Sequence, residues 1–187
     1  MIIGLTGPMA SGKTTVVEAL KKEGFNYFTL SDIVREECGK QGKEISRDNL
    51  MAVGEGLRKE FGAGVLGMLA LKKILTEGEN GNWIIDGIRN PEEAKELRKY
   101  SNFVLVANTA PEDMIIKRIL TRKRSDDTLD EEAIRKKLRR EMGEGEPPEG
   151  QQVQKCIDMA DYIFENTMPI DQVETEFMKL YTKINEE

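Results

Sequence analysis

The chain contains no histidine. This removes the side chain that most often carries protons near neutral pH, so any chemistry must rest on lysine, arginine, carboxylates, hydroxyls, backbone amides or a metal ion. Cysteine is scarce as well. Cys38 and Cys156 give no metal or disulfide framework and read as buried thiols of a reducing compartment. Long apolar runs are missing: the longest, Gly64 to Leu71, is too short to span a bilayer. There is no internal repeat, and Gly143 to Gly150 is the only low-complexity stretch. Positive charge is not in excess either. A net charge of −6 argues against a general nucleic-acid binder, although an acidic chain still has room for a local basic pocket. The N-terminus begins with an apolar strand rather than a signal peptide, so a cytoplasmic location is expected, with neither membrane nor nucleic acid as partner. What is present is a 187-residue chain, 39% apolar and 33% charged, which fits one globular domain with a substantial core.

The densest signal is at the start. Met1-Ile-Ile-Gly-Leu-Thr6 leads into Gly7-Pro-Met-Ala-Ser-Gly12-Lys13-Thr14, which fits G-x-x-x-x-G-K-[ST], the phosphate-binding P-loop. Each part has a physical task. Gly7 and Gly12 allow a tight turn with Pro8 in its bend, and the backbone N–H groups of Met9, Ala10, Ser11 and their neighbours are expected to curve round phosphate oxygens at a helix N-terminus. Lys13 brings a positive charge to the β- and γ-phosphates, the Thr14 hydroxyl is a ligand for Mg²⁺, and Thr15 is near the α-phosphate. Context agrees, with an apolar strand before the loop and a helical run, Thr14 to Glu23, after it. Phosphoryl transfer suits a chain without histidine, because it needs positioning and charge neutralisation more than a strong base.

Strand and helix signals then alternate. Strands are expected at Phe25 to Leu30, Trp83 to Asp86, Phe103 to Ala107 and Asp161 to Glu165. Ser31 or Asp32 is the expected cap of the helix that follows the second strand. Further helices are expected over 48–60, 63–77, from Pro91, from Pro111, over 131–142 and over 170–184, with Gly143 to Gly150 as a flexible turn or mobile loop. Five apolar strands separated by helices predict an α/β fold: a three-layer P-loop NTP hydrolase architecture whose five-stranded parallel sheet carries helices on both faces. The expected organisation is a single domain over 1–187. Its core is 1–30 and 78–187, a helical acceptor-binding subdomain occupies about 31–77, and a short lid occupies about 117–128.

A second set of residues qualifies the first. Trp83-Ile-Ile-Asp86 has the form of an apolar strand ending in the acid that holds Mg²⁺, so Thr14 and Asp86 are the expected metal ligands. Arg35 and Arg58 stand in the inserted helices, where the planar fork of an arginine suits a phosphate on the acceptor. Arg118, Arg122 and Arg124 lie on a helix end and the break after it. They read as lid residues that stabilise the transferring group and exclude water. The basic run Arg135 to Arg140, with Glu131, Glu132 and Glu141 beside it, reads in part as ordinary helical ion pairing, leaving Arg139 and Arg140 as lesser candidates. No Asn/Thr-Lys-x-Asp motif follows the fourth strand, where Asn108-Thr-Ala-Pro stands, which disfavours a GTPase switch.

Taken together, these segments resemble the P-loop nucleotide kinases over most of the chain, above all a group of adenylate-kinase-like and dephospho-CoA-kinase-like proteins of archaea. The likeness rests on Gly4 to Thr14, Asp32-Ile-Val-Arg-Glu-Glu37, Leu57 to Gly62, Ile85-Asp-Gly-Ile-Arg89, Arg124-Ser-Asp-Asp127 and Ala160 to Asn166. It implies ATP and Mg²⁺ as cofactors, Arg89 as the clamp on an acceptor phosphate and Arg35 as its companion. It also implies Asn166 beside the adenine, and a lid and subdomain that close over the substrates. Lys13, Asp86, Arg89, Arg118, Arg122 and Arg124 would be the catalytic set. Asp32, Arg35, Arg58 and Arg89 would bind the acceptor, Asp32 orienting a hydroxyl if the acceptor presents one. The expected activity is ATP-dependent phosphorylation of a nucleoside monophosphate or nucleotide-like small molecule by a monomer or homodimer. Two alternatives stand beside it: a dephospho-CoA kinase, and a regulatory ATP-binding protein with slow ATPase activity. The chain departs from dephospho-CoA kinases in lacking a clear Asp pair after the second strand.

Overall fold

In the computed structural model, residues 1–77, 81–122 and 130–186 are described. Strand β1 (Ile2–Thr6) is buried at every position, so neither face is available to water and both must be covered. That is the condition of a parallel sheet. Strands β2 (Asn26–Thr29), β3 (Trp83–Ile88), β4 (Phe103–Thr109) and β5 (Tyr162–Glu165) join it in the order β2-β3-β1-β4-β5, and every pairing is parallel. Ile2 stands opposite Trp83 on one side and Phe103 on the other.

Odd and even positions of β1 feed two layers. Ile3 and Leu5 pack with Ile84 and Val106 under α1 (Lys13–Lys22) and α9 (Ile170–Glu186), where Leu20 and Phe177 are fully buried. Ile2 packs with Ile85 and Leu105 on the opposite face. That face is covered by α2 (Leu30–Lys40), α3 (Arg47–Phe61), α4 (Val65–Glu77), α5 (Pro91–Leu97) and α8 (Val153–Asp158). A third, smaller core joins α6 (Glu112–Arg122) to α7 (Glu131–Met142) through Ile115, Ile116, Ile119, Ile134 and Leu138, with Met9 and Ala10 packed against it. The β1–α1 loop therefore rests on the apolar seam between α6 and α7.

Several boundaries differ from the sequence expectation, each for a local reason. Helix α2 begins at Leu30, and its cap is Thr29 rather than Ser31 or Asp32. Asp32 is the third helical residue and completes a reciprocal capping box: it receives the Thr29 amide at 2.8 Å while the Thr29 hydroxyl receives the Asp32 amide at 3.0 Å. Strand β3 runs past Asp86 to Ile88 because Gly87 is an extra residue: Leu5 pairs with Asp86 and Thr6 with Ile88. Helix α8 has no counterpart in the sequence reading; six residues with only Val153 and Cys156 buried are too short to display a period. The Gly143–Gly150 segment, expected to be a mobile loop, is tied to the loop after β3. Asn90 Nδ2 donates to the carbonyls of Pro148 (2.8 Å) and Gly150 (2.9 Å), and the Gln152 amide donates to the Arg89 carbonyl at 2.7 Å.

Candidate active site at the carboxyl edge of the sheet

From β1 the chain crosses to β2 on one side, and from β3 it crosses to β4 on the other. The crevice beyond the carboxyl ends of β1 and β3 is thus the switch point where open α/β sheets bind ligands. Two loops meet there: Gly7–Gly12 after β1 and Arg89–Asn90 after β3.

The first loop has the backbone of an anion cradle. Gly7, Ala10 and Gly12 have φ values of 126°, 57° and 101°, and Ala10 is the only described non-glycine residue with positive φ. Helix α1 has Gly12 at its N-cap, with no side-chain cap and no acid in its first turn, whereas Thr29, Ser46, Asn90 and Asp130 cap α2, α3, α5 and α7. Its first amides are left without a side-chain acceptor, which suits a phosphate. The underside of the loop is closed. A Cβ on Gly7 would stand 2.0 Å from the Asn108 carbonyl oxygen, and one on Gly12 would stand 2.0 Å from Asn166 Nδ2.

Three side chains hold that underside by one oxygen. The Ser11 carbonyl accepts Asn108 Nδ2 at 2.7 Å, Asn166 Nδ2 at 3.0 Å and Arg118 Nη1 at 3.2 Å. Arg118 Nη2 in turn donates to the Asn166 carbonyl and to its Oδ1, both at 3.0 Å. Asn166, expected beside the base, is 2% exposed and bonded beneath the loop. Arg118, expected in a lid over the triphosphate, is bound to the same loop carbonyl, and burial lowers its pKa from the ordinary arginine value.

Lys13 Nζ folds back to the carbonyls of Gly7 (2.7 Å) and Pro8 (2.9 Å). Burial lowers its pKa; Asp86 and Glu141 raise it, and Arg89 and Arg122 lower it further. Four charged groups from β3, its following loop, α6 and α7 therefore act on the Lys13 ammonium. Thr14 is exposed and Thr15 half-buried on the first turn of α1. Asp86 is half-buried, and its Oδ1 accepts the Gly87 amide at 2.6 Å. Among the described residues no group of three His, Cys, Asp or Glu side chains could cage a metal. A hydroxyl and one carboxylate, Thr14 and Asp86, still fit Mg²⁺, which is commonly held by few protein ligands together with substrate phosphates and water.

Arg89 is 41% exposed, and its Nε lies 3.8 Å from Glu141 Oε1. Its backbone is fixed: its amide donates to Glu93 Oε2 at 2.9 Å. Arg35 and Asp32 are paired with each other at 2.7 Å, both about half-exposed. Burial, then Asp86 and Asp32, push the Tyr27 hydroxyl up to about 12, so both carboxylates lie within electrostatic reach of that ring. Arg58, a candidate for the acceptor phosphate, is committed elsewhere. Its Nε and Nη2 donate to Glu93 Oε1 at 3.1 and 2.6 Å, and the two side chains are 11% and 0% exposed. Arg124 lies outside the described residues, as does 123–128 of the expected lid. In the basic helix, Arg135 pairs with Glu131, Glu112 and Asp113, and Arg140 with Glu146 and, at 3.7 Å, Glu55 of α3. A cleft of about 210 Å³ lies along Arg140, lined by Glu55, Lys59, Glu146, Pro147 and Glu149.

Three residues escape the sequence reading. Glu93 is wholly buried and joins α3 to the loop bearing Arg89. Asn108 ends an apolar strand under the P-loop, and among the described residues its Oδ1 is the one buried side-chain oxygen or nitrogen without a partner. Glu141 is 5% exposed, and its Oε2 accepts the Met9 amide at 2.8 Å. Its signal is in the sequence: Glu141 continues the stripe Ile134–Leu138 at the helical period, an acid in the apolar face.

A family model described as "AAA domain" matches residues 3–143. The UPF0200 protein of Sulfurisphaera tokodaii is 32% identical over 183 residues, covering 98% of this chain and 97% of that protein. Among solved structures, shikimate kinase from Bacteroides thetaiotaomicron superposes with a TM-score of 0.59 at 15% identity, over 97% of this chain and 98% of that one. Dephospho-CoA kinase from Campylobacter jejuni gives a TM-score of 0.52 at 17% identity, over 98% and 96%. At such identities the two kinases share the fold with this chain.

Proposed function

The chain belongs to the AAA domain family and to the UPF0200 proteins, and from that premise we propose that it transfers the γ-phosphoryl group of ATP to a small nucleotide-like acceptor. The observation that carries this reading is the convergence of an uncapped helix, Lys13, Asp86 and Arg89 at one crevice. The amides of the loop and of α1 hold the phosphates. Lys13 leaves its two carbonyl partners for the β- and γ-phosphate oxygens, which restore the charge that burial disfavours. Thr14 and Asp86 would hold Mg²⁺, which would supply charge neutralisation during the transfer. Arg89, half-exposed on a fixed backbone, binds an anionic group of the acceptor, and Arg35 is its companion from α2. Arg122 adds positive charge from the end of α6. Arg118 supports the transfer through the loop it braces.

The test is ADP release with Mg²⁺–ATP across ribo- and deoxynucleoside monophosphates and dephospho-CoA, with Lys13→Ala and Arg89→Ala as controls. One acceptor that lifts turnover above the hydrolysis background, lost in both variants, supports the kinase reading. Tight ATP binding with no acceptor stimulation favours a regulatory ATP-binding protein instead.

A further inference from the structure

Resting on that kinase reading and deepening it, we propose that Glu141 receives the acceptor's proton, and that the reacting group of the acceptor is a hydroxyl rather than a phosphate. Glu141 reaches the site from α7 with its two oxygens in different roles. Oε2 is fixed by the Met9 amide at 2.8 Å, inside the P-loop sequence. Oε1 accepts no hydrogen bond among the described residues; its ion-pair partner is Arg89, at 3.8 Å and beyond hydrogen-bond length. The carboxylate also acts on the Lys13 ammonium, which belongs at the β- and γ-phosphates. One oxygen is thus anchored to the P-loop and the other stands beside Arg89, the residue assigned to the acceptor.

Among the described residues, the other candidates named for this crevice are otherwise engaged. The chain has no histidine. Asp86 accepts the Gly87 amide and is the acid suited to Mg²⁺. Asp32 already accepts the Thr29 amide, the Thr29 hydroxyl and Arg35 at 2.8, 2.9 and 2.7 Å. A buried negative charge beside the transfer point repels an incoming phosphate, whereas a hydroxyl donates a hydrogen bond to it. Arg89 then holds an anionic group elsewhere on the same acceptor. In the step, the acceptor O–H bond breaks and its proton passes to Glu141 Oε1. The freed oxygen forms a bond to the γ-phosphorus, and the bond from that phosphorus to the bridging oxygen breaks. ADP leaves with the bonding electron pair, and Glu141 afterwards loses its proton to water.

Water is the simplest hydroxyl acceptor, so slow ATP hydrolysis tests the proposal before the acceptor is identified. Wild type and Glu141→Gln are compared in Mg²⁺–ATP affinity by calorimetry and in single-turnover hydrolysis. Glu141→Asp serves if the Gln variant is unstable. The expected result is ATP affinity unchanged within about threefold and hydrolysis slowed about 100-fold, the lower range for loss of a general base. Among phosphorylated alcohols and nucleoside monophosphates offered as acceptors, the product is a phosphate ester. Equal hydrolysis by wild type and variant overturns the proposal. So does ATP binding without hydrolysis in the wild type, a phosphoanhydride product, or a variant that binds ATP about tenfold more tightly, which would make Glu141 a plug in the loop. Absence of ATP binding by the wild type overturns the kinase reading itself, and this proposal with it.

Discussion

The loops after β1 and β3 share one crevice but take their shape differently. The first is shaped by its own consecutive residues: Gly7, Ala10 and Gly12 set the curve, and Lys13 bonds back to Gly7 and Pro8. The second is held from a distance. Glu93 accepts the Arg89 and Asn90 amides with one oxygen and Arg58 of α3 with the other. Asn90 reaches Pro148 and Gly150, and Gln152 reaches Arg89. The curve of the first loop is therefore legible in one short run of sequence, although its brace comes from Asn108, Arg118 and Asn166, whereas the second loop depends throughout on the agreement of several elements. The same scaffold can keep the first loop while the second is retuned.

Removing Lys13 is the sharpest way to separate the two. Lys13→Ala is expected to reduce ATP turnover about 10³-fold while leaving the melting temperature unchanged, because its bonds in the structure are to its own loop. Steady-state turnover and calorimetric melting check the two halves of that outcome. Breaking the second loop should do the reverse. Glu93→Gln leaves Arg58, 11% exposed, without its counter-charge, and is expected to cost about 3–5 kcal/mol in denaturant unfolding. ATP affinity in the surviving folded fraction should stay near wild type while the acceptor KM rises. If ATP affinity falls as well, the two loops are not independent.

Asn166→Ala tests the brace under the first loop. It removes a donor to Ser11 and an acceptor for Arg118, with an expected loss of about 1–2 kcal/mol in stability and a weaker ATP affinity by calorimetry. The smallest effect is at Asp32. Burial pushes this carboxyl up, and the Thr29 amide, the Thr29 hydroxyl and Arg35 together outweigh it, holding the carboxyl below its ordinary range. A depressed carboxyl adds stability above its unfolded pKa of about 4, and that part is lost as the pH falls through the lower folded value. Asp32→Asn should flatten that part of the acid unfolding profile and change little at neutral pH, since the Arg35 pair is exposed.

The contrast between the loops also explains what could be read in advance. The P-loop sequence and the parallel sheet follow from neighbouring residues and apolar runs, and the structure has that architecture, although β3 runs two residues beyond the acid expected to end it. Arg58 looked free because nothing near it in sequence is its partner; Glu93 is 35 residues away. Glu141 looked like one more charge on a basic helix. Its place in the Ile134–Leu138 stripe betrays burial, but only the packing of α7 against Met9 gives it a partner. The expected second strand ran one residue too far, to Leu30, which hid the Thr29 cap; Leu30 is buried as the first residue of α2.

The single carbonyl of Ser11 also sets a timetable. Its three donors lie 97, 107 and 155 residues further along the chain, at Asn108, Arg118 and Asn166. At synthesis rates of roughly 5–20 residues per second, about eight to thirty seconds separate the appearance of the loop from that of its last support. Nascent chains stalled before Asn166 should therefore bind ATP more weakly than completed ones, a difference measurable on arrested ribosomes. In order of manufacture, the nucleotide loop is the first part of the chain to exist and among the last to be braced.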